Sequence, residues 1–271
     1  MSNPDAENLR RLLDPGTEPR LDQLECFPEL DSTNRYLLDQ AGPAAGRFRV
    51  AMTDHQTAGR GRRGKTWRTP PLSSICLSLA YTFRRQPRQL SSLSLAAGIA
   101  AVDVLRNLPM QGVALKWPND LMAADAKLGG ILVETRGNSM QTTAVIGLGI
   151  NIDLTGFDHA DIAPDRIGPI TDLKHCVEEM PSRGALACKL IDSVARTVQQ
   201  FDAEGFAAFV ERWNRCDWLK GRQMSIETAA GRISGAAEGV DDDGGLLLMT
   251  QSGPRTIVSG SVILAPNTGA G

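Results

Sequence analysis

The sequence predicts an α/β chain: a large segment in which strands and helices intermix, followed by a small C-terminal β-barrel. Three observations carry this. Leu186, Leu190, Ile191, Val194, Val198 and Phe201 recur at helical spacing, whereas Ile75, Leu77 and Leu79 alternate as a strand does. After Lys220 the texture changes to short apolar runs between Gly- and Asp-rich turns, with DDDGG (241–245) the strongest hairpin signal in the chain. The 271 residues are 42% apolar, enough for one large core or a large domain with a small one docked on it.

Taken in order, residues 1–20 are polar and Pro-punctuated and read as a flexible tail. In DSTNRYLLDQA, Asp31 or Ser32 caps a helix carrying Tyr36, Leu37 and Leu38. RFRVAMT (47–53) is a strand, a Gly/Arg loop follows, and PLSSICLSLAY is the next strand. LSSLSLAAGIAAVDVLRNL (90–108) is a helix ending near Pro109, VALKW (113–117) a short strand and PND a turn. KLGGILVETR (127–136) and TTAVIGLGINID (142–153) form a pair of strands around a GNS turn. Residues 154–183 are Pro-, Gly- and Asp-rich loop with a short helix, before the helical run ending at Phe201 and a second one through Phe206, Phe209, Val210 and Trp213. MSIET, GRISGAAEGV, GGLLLMT and PRTIVSG are the strands of the barrel. The expected division is thus a tail (1–20), a main domain (21–219) and a barrel (220–271).

A net charge of −2 with 22% charged residues argues against disorder and against a general coat for nucleic acid. The N-terminus has no apolar run of signal-peptide length, and no stretch approaches the length of a membrane span. Five cysteines without a C-x-x-C pair fit a reducing cytoplasm, and three scattered histidines make a histidine metal site unexpected.

GRGRRGKT (59–66) literally matches the phosphate-loop pattern G-x-x-x-x-G-K-[ST]. A true phosphate loop needs a helix beginning at its Lys-Ser/Thr, so that free N–H groups and the dipole point at the phosphates. Here WRTPP follows, and Pro70 and Pro71 oppose helix. What remains is a loop of Arg60, Arg62, Arg63, Lys65 and Arg68 interleaved with glycine, able to bring backbone and guanidinium groups close around an anion. KWPND sets Lys116, Asn119 and Asp120 around a rigid turn; KLGGILVE puts Lys127 beside Gly129 and Gly130; GLGIN adds Gly147, Gly149 and Asn151. GLGIN is not a dinucleotide fingerprint, because the third glycine and the helix are missing.

DSTN, HQTAGRGRRGKTW, KWPNDL, KLGGILVE and GLGIN, in this order, resemble a biotin–protein ligase, over residues 22–153 most closely. The resemblance implies a mixed sheet flanked by helices, related to class II aminoacyl-tRNA synthetases, and an SH3-like C-terminal domain. It implies a two-step reaction. Biotin's carboxylate attacks the α-phosphate of ATP, with Mg2+ assisting, to give biotinyl-5′-AMP; a lysine of a biotin carboxyl-carrier protein then takes the biotinyl group and releases AMP. An anion is driven onto a polyanion, so fixed cations are the chief requirement.

On this resemblance Lys127 is the catalytic cation, Arg60 and Arg62 clamp carboxylate and phosphates, and Gly61 lets the loop cover biotin. Ser32, Thr33 and Gln56 meet the ureido ring, Ser32 also serving as a helix cap, with Asn34 and Arg35 adjacent candidates. Gly130, Gly147 and Gly149 line the biotin pocket where a Cβ would clash. Arg63, Lys65, Trp67, Asn119 and Asn151 are assigned to the loop or the nucleotide, and Asp120 either holds magnesium or orients Lys127. His55 is read as structural. Ile170 stands where the family has a tryptophan against adenine, and RTIVSGSVILAP departs from the family's ending. Too few residues precede Asp31 for a winged helix-turn-helix, so no DNA partner is expected; monomer and homodimer both stay open. The rival readings are a lipoate–protein ligase, which would have no ureido ring to satisfy, and a non-catalytic binding module for biotin or nucleic acid.

Overall fold

The computed structural model describes residues 5–83, 90–110, 112–137, 141–158 and 168–264. The order is α1 (Ala6–Leu12), β1 (Leu21–Leu30), α2 (Thr33–Asp39), β2 (Phe48–Gln56), β3 (Ser74–Phe83), α3 (Leu93–Leu105), β4 (Ala114–Lys116), β5 (Asp120–Ala123), β6 (Ala126–Gly137), β7 (Thr142–Asn151), α4 (Leu173–Cys176), α5 (Arg183–Glu204) and α6 (Val210–Asn214). The C-terminal part adds β8 (Gln223–Thr228), β9 (Gly231–Val240), β10 (Leu246–Thr250), β11 (Gly253–Ile257) and β12 (Ser261–Leu264).

The main sheet has seven strands in the order β1-β2-β3-β7-β6-β5-β4. It is mixed, because β1 runs parallel to β2 while the other pairs are antiparallel. One face carries α3 and α5. Leu186, Leu190, Ile191, Val194, Val198 and Phe201 form the buried stripe of α5, each fully buried side chain contributing roughly 1.5–3 kcal/mol. The opposite face carries α2, whose Leu37 packs with Ala51, Ala80 and Val145, and beyond α2 a cavity lies on it. The C-terminal strands make a five-stranded antiparallel sheet, β11-β10-β9-β8-β12. It is joined to the main domain where Trp117 Nε1 donates to Gly244 O at 3.1 Å.

Several elements differ from the sequence reading; besides β5 and β12, which it did not mark as strands, two lie near the N-terminus. Residues 5–20 are not a loose tail: Asp5 caps α1, and Leu9 and Leu13 are buried where α1 packs on α5. Asp192 also accepts from the Asp14 backbone N–H at 3.1 Å. The apolar signal is only two leucines wide, too short for periodicity to register. Strand β1 likewise escaped, because LDQLECFPEL alternates poorly and carries a proline, which an outer strand tolerates. No helix among the described residues is long and apolar enough to cross a membrane. The GNS turn falls partly outside the described residues.

Candidate active site

The open face of the main sheet becomes a site because its floor lacks side chains. Gly149 of β7 lies opposite Gly130 of β6, and Gly130 lies opposite Asp120 of β5, so one row of the sheet has two adjacent glycines. In the next row Ser78, Gly147 and Leu132 are neighbours. A Cβ on Gly149 would come within 2.7 Å of the Trp67 ring, and one on Gly147 within 2.3 Å of Asn34 Oδ1. These glycines therefore make room for protein groups that cross the sheet. Gly130 is different: its nearest neighbour would be 3.5 Å away, so there the free space belongs to the cavity.

Lys127 reaches this face through an irregularity. Gly129 pairs with Leu121 but Lys127 pairs with Met122, leaving Leu128 as the extra residue of a bulge. Leu128 is buried in the core, while Lys127 turns to the side of Gly130 and Leu132. Its Nζ lies 2.6 Å from Asp120 Oδ1 and 5.4 Å from the centre of the Trp67 ring. The Lys127 backbone is held by the segment 169–171: its N–H donates to Pro169 O at 3.0 Å, and its carbonyl accepts from Thr171 N at 2.9 Å. Asn151 Nδ2 donates to Thr171 O at 2.9 Å, bracing the same segment.

The Gly/Arg loop is a hairpin folded over the cavity. Gly61 N donates to Lys65 O at 2.7 Å and Trp67 N to Gly59 O at 2.9 Å, with the reversal made by Arg63 (φ 56°) and Gly64 (φ 75°). Gly59 is required by close approach, since a Cβ there would lie 2.2 Å from the Trp67 carbonyl oxygen. After Thr66 the chain is extended, and Thr69 bridges to Gln56; no helix begins at Lys65, as Pro70 and Pro71 led us to expect. Arg62 Nη1 donates to Asn119 Oδ1 at 3.3 Å. Burial, and secondarily Arg63, draw the Arg62 pKa below the usual arginine value while Asp120 opposes them; a guanidinium remains charged nonetheless. Arg63 leans on the C-terminal sheet, Nη1 donating to Ser261 Oγ at 2.6 Å and Nη2 to Ser259 Oγ at 3.4 Å.

At the other end of the cavity, Ser32 caps α2 with its Oγ accepting from Arg35 N at 3.5 Å. Gln56 Oε1 accepts from Thr33 N at 3.0 Å, which orients the amide. Ser78 Oγ lies 2.6 Å from Asn34 Oδ1 and 2.7 Å from Thr33 Oγ1, so its single proton serves one of them. Asn34 Nδ2 donates to Leu132 O at 3.2 Å and to Glu134 Oε2 at 2.9 Å. Both amide protons of Asn34 are thus engaged within the protein, and only its oxygen has acceptor capacity to spare.

These groups surround one cavity of about 490 Å³, within the range of small-molecule sites. Ser32, Thr33, Asn34, Gln56, Arg60, Gly61, Arg62, Arg63, Lys65, Trp67, Asn119, Asp120, Lys127, Gly130, Gly147, Gly149 and Asn151 all line it, and so does Ile170 beside Lys127. Arg35 does not: it pairs with Asp31 and Asp39 on the outer side of α2. Arg60 lines the cavity but is not a free clamp, because its Nη2 lies 2.9 Å from Glu134 Oε1. His55 pairs with Glu29 at 2.9 Å, in keeping with a structural part. Sequence reasoning missed Ser78, Glu134 and the wall formed by Glu227 and Ser261 of the C-terminal sheet. Glu134 was discoverable, since it alternates with Gly130 and Leu132; the C-terminal wall depends on docking that no local pattern encodes. Among the described residues no group of three or more His, Cys, Asp or Glu side chains is arranged to hold a metal ion.

Two family models match the chain: the biotin/lipoate A/B protein ligase family over residues 26–151, and the biotin protein ligase C terminal domain over residues 221–265. The bifunctional ligase/repressor BirA of Salmonella typhimurium is 35% identical over 245 residues, covering 90% of this chain and 73% of that protein. The biotin–[acetyl-CoA-carboxylase] ligase of Mycobacterium tuberculosis is 34% identical over 244 residues, covering 87% and 86%. Among solved structures, a biotin protein ligase from Aquifex aeolicus in complex with biotin and ATP superposes with a TM-score of 0.76 at 24% identity. It covers 90% of this chain and 100% of that one, and the likeness is one of fold.

Proposed function

The chain belongs to the biotin/lipoate A/B protein ligase family, and from that premise we propose that it activates biotin with ATP and transfers it to a lysine of a biotin carboxyl-carrier protein. The observation that carries this reading is a single cavity with two unlike ends. One end, Ser32–Thr33–Gln56, offers fixed neutral donors and acceptors; the other offers Lys127 and Arg62. Biotin has the same division, a neutral ureido ring with one acceptor and two donors, and a carboxylate on an apolar chain.

In the first step a biotin carboxylate oxygen attacks the α-phosphorus of ATP, the bond to the β-phosphate oxygen breaks, and pyrophosphate leaves. Negative charge builds on the non-bridging oxygens, and Lys127 and Arg62 are proposed to meet it; such groups act most when they bind the transition state better than the ground state. Asp120 keeps the Lys127 ammonium directed along the cavity. Trp67, Arg63, Lys65, Asn119 and Asn151 are proposed to flank the nucleotide, toward the wall that Glu227 and Ser261 contribute. In the second step the neutral amine of the carrier lysine attacks the acyl carbon, AMP departs and a proton is lost.

The donor set does not suit a resident magnesium ion: Asp120, the carboxylate nearest the cationic end, is engaged by Lys127, and among the described residues no acidic cluster accompanies it. Magnesium is therefore written as part of the substrate MgATP, consistent with a cation that keeps its waters and binds chiefly through phosphates. DNA is not among the proposed partners, because a net charge of −2 supplies no general basic face.

The test is exchange of labelled pyrophosphate into ATP, with biotin and with lipoate, followed by labelling of an acetyl-CoA-carboxylase carrier domain. Exchange that depends on biotin and not on lipoate supports the reading; exchange that follows lipoate, or none with either acid, overturns it.

A further inference from the structure

We propose that Glu134 is a positioning residue for this reaction: its carboxylate ties the Gly/Arg loop to the floor of the acid-binding end, holding Arg60 with one oxygen and Asn34 with the other. The inference rests on the reaction proposed above. Glu134 Oε1 lies 2.9 Å from Arg60 Nη2, and Glu134 Oε2 accepts from Asn34 Nδ2 at 2.9 Å. Each partner is anchored further on. Asn34 also donates to Leu132 O at 3.2 Å, has its Oδ1 2.6 Å from Ser78 Oγ, and occupies the space that Gly147 leaves open. Arg60 belongs to the hairpin closed by the Gly61–Lys65 and Gly59–Trp67 backbone bonds.

The sign of the charge makes the case stronger. A cavity that gathers a carboxylate and a triphosphate is disfavoured by an extra carboxylate near its wall, unless that carboxylate is neutralised. Glu134 is only 20% exposed, and its two oxygens go to a cation and an amide. Arg60, 48% exposed, spends its charge on Glu134. Arg62, whose hydrogen bond to Asn119 is longer at 3.3 Å, lines the cavity. The two arginines therefore divide the work: Arg62 touches the anions, and Arg60 acts through Glu134 to keep the loop in register over them. The three groups come from β6, from α2 and from the loop, so the carboxylate joins segments distant in sequence, and removing it frees the loop relative to the floor.

The experiment compares Glu134→Gln, Glu134→Asp, Arg60→Gln and the Glu134→Gln/Arg60→Gln double variant in the full chain. Steady-state pyrophosphate exchange gives KM for biotin and kcat. Trypsin cleavage after Arg62, Arg63 or Lys65, sites that every variant keeps, followed by mass spectrometry, reports the loop independently of activity. We expect Glu134→Gln and Arg60→Gln each to raise KM for biotin about tenfold, with kcat changed about twofold or less, and to speed loop cleavage about fivefold. The double variant should be no worse than either single one, as befits two ends of one interaction. Glu134→Asp should recover part of the loss. Wild-type KM and cleavage rate in Glu134→Gln, or additive losses in the double variant, would overturn the proposal. Should Glu134→Gln fail to fold by circular dichroism, Arg60→Gln decides it by the same two readouts, and an unchanged cleavage rate there counts against it. Absence of biotin-dependent exchange in the wild type would instead defeat the proposed reaction, and the cleavage pattern would still judge the tie.

Discussion

Lys127 Nζ and Asp120 Oδ1 are 2.6 Å apart although the two residues are not register partners; Asp120 pairs with Gly130, and the glycine leaves the space through which the ammonium reaches it. Replacing Lys127 with Ala removes the cation from the reacting end. Adenylate formation should fall about 10²–10³-fold, the usual cost of losing one transition-state donor. Pyrophosphate exchange measures this step, and carrier labelling from preformed biotinyl-5′-AMP measures the second. If both stay within about threefold of wild type, Lys127 is not the central cation.

Gly149→Ala should disable the site without unfolding the chain. The new Cβ would press on Trp67 at 2.7 Å, and the ring must lift off the sheet, taking the loop with it. Tryptophan fluorescence should shift and kcat/KM for ATP should drop at least about tenfold. An unchanged spectrum together with unchanged kinetics contradicts this placement of Trp67.

The contact of Arg63 with Ser259 and Ser261 gives the C-terminal sheet a direct hold on the loop. The double change Ser259→Ala and Ser261→Ala removes two acceptors at an exposed site, where solvent screening keeps such a bond to about 1 kcal/mol or less. KM for ATP should rise by up to about tenfold while thermal stability changes little. Identical KM values would mean that the barrel does not steady the loop.

Asp217 sits between α6 and the C-terminal sheet with Oδ2 buried and without a partner. Burial raises its pKa to about 6, and the Leu219 N–H and Lys220 only partly offset that. The folded state therefore holds a proton that the unfolded state releases near the ordinary value of 3.8. Stability should fall as pH rises between these values and then level off, by at most about 3 kcal/mol. Asp217→Asn should be more stable than wild type at pH 7.5, with the gap closing toward pH 4.5; calorimetry across that range checks both the sign and the window. A wild-type protein that is more stable than Asp217→Asn at pH 7.5 refutes it.

Leu9→Ala should cost about 2–4 kcal/mol, because α1 is part of the core. Urea denaturation reads this directly, and a cost below about 0.5 kcal/mol would return residues 5–13 to the status of a tail.

Most of the fold was legible where a pattern is local and long. The α5 stripe, the β3 alternation and the β6–β7 pair need only neighbouring residues to announce themselves. What escaped was short or depended on partners far along the chain: α1 buries one leucine, Leu9, with Leu13 just past its end, and β1 is recognisable only as the parallel neighbour of β2. The site divides in the same way. Lys127, Arg62 and the glycines stand in dense motifs, whereas Ser78 matters only because β3 lays it between Thr33 and Asn34. Arg60 and Arg62 look alike in GRGRRGKT, and only Glu134, more than seventy positions away, tells them apart.

One slipped residue at Leu128 has an outsized effect. Counted backward from Gly130 by strict alternation, Lys127 would belong with Ile131 among the core side chains, its ammonium aimed at α3. The slip lets a single strand present Lys127 to the cavity beside Asp120 at one end and Glu134 to Arg60 at the other. Were that slip to heal, Lys127 would leave the cavity, and the ligation proposed above would lose its cation.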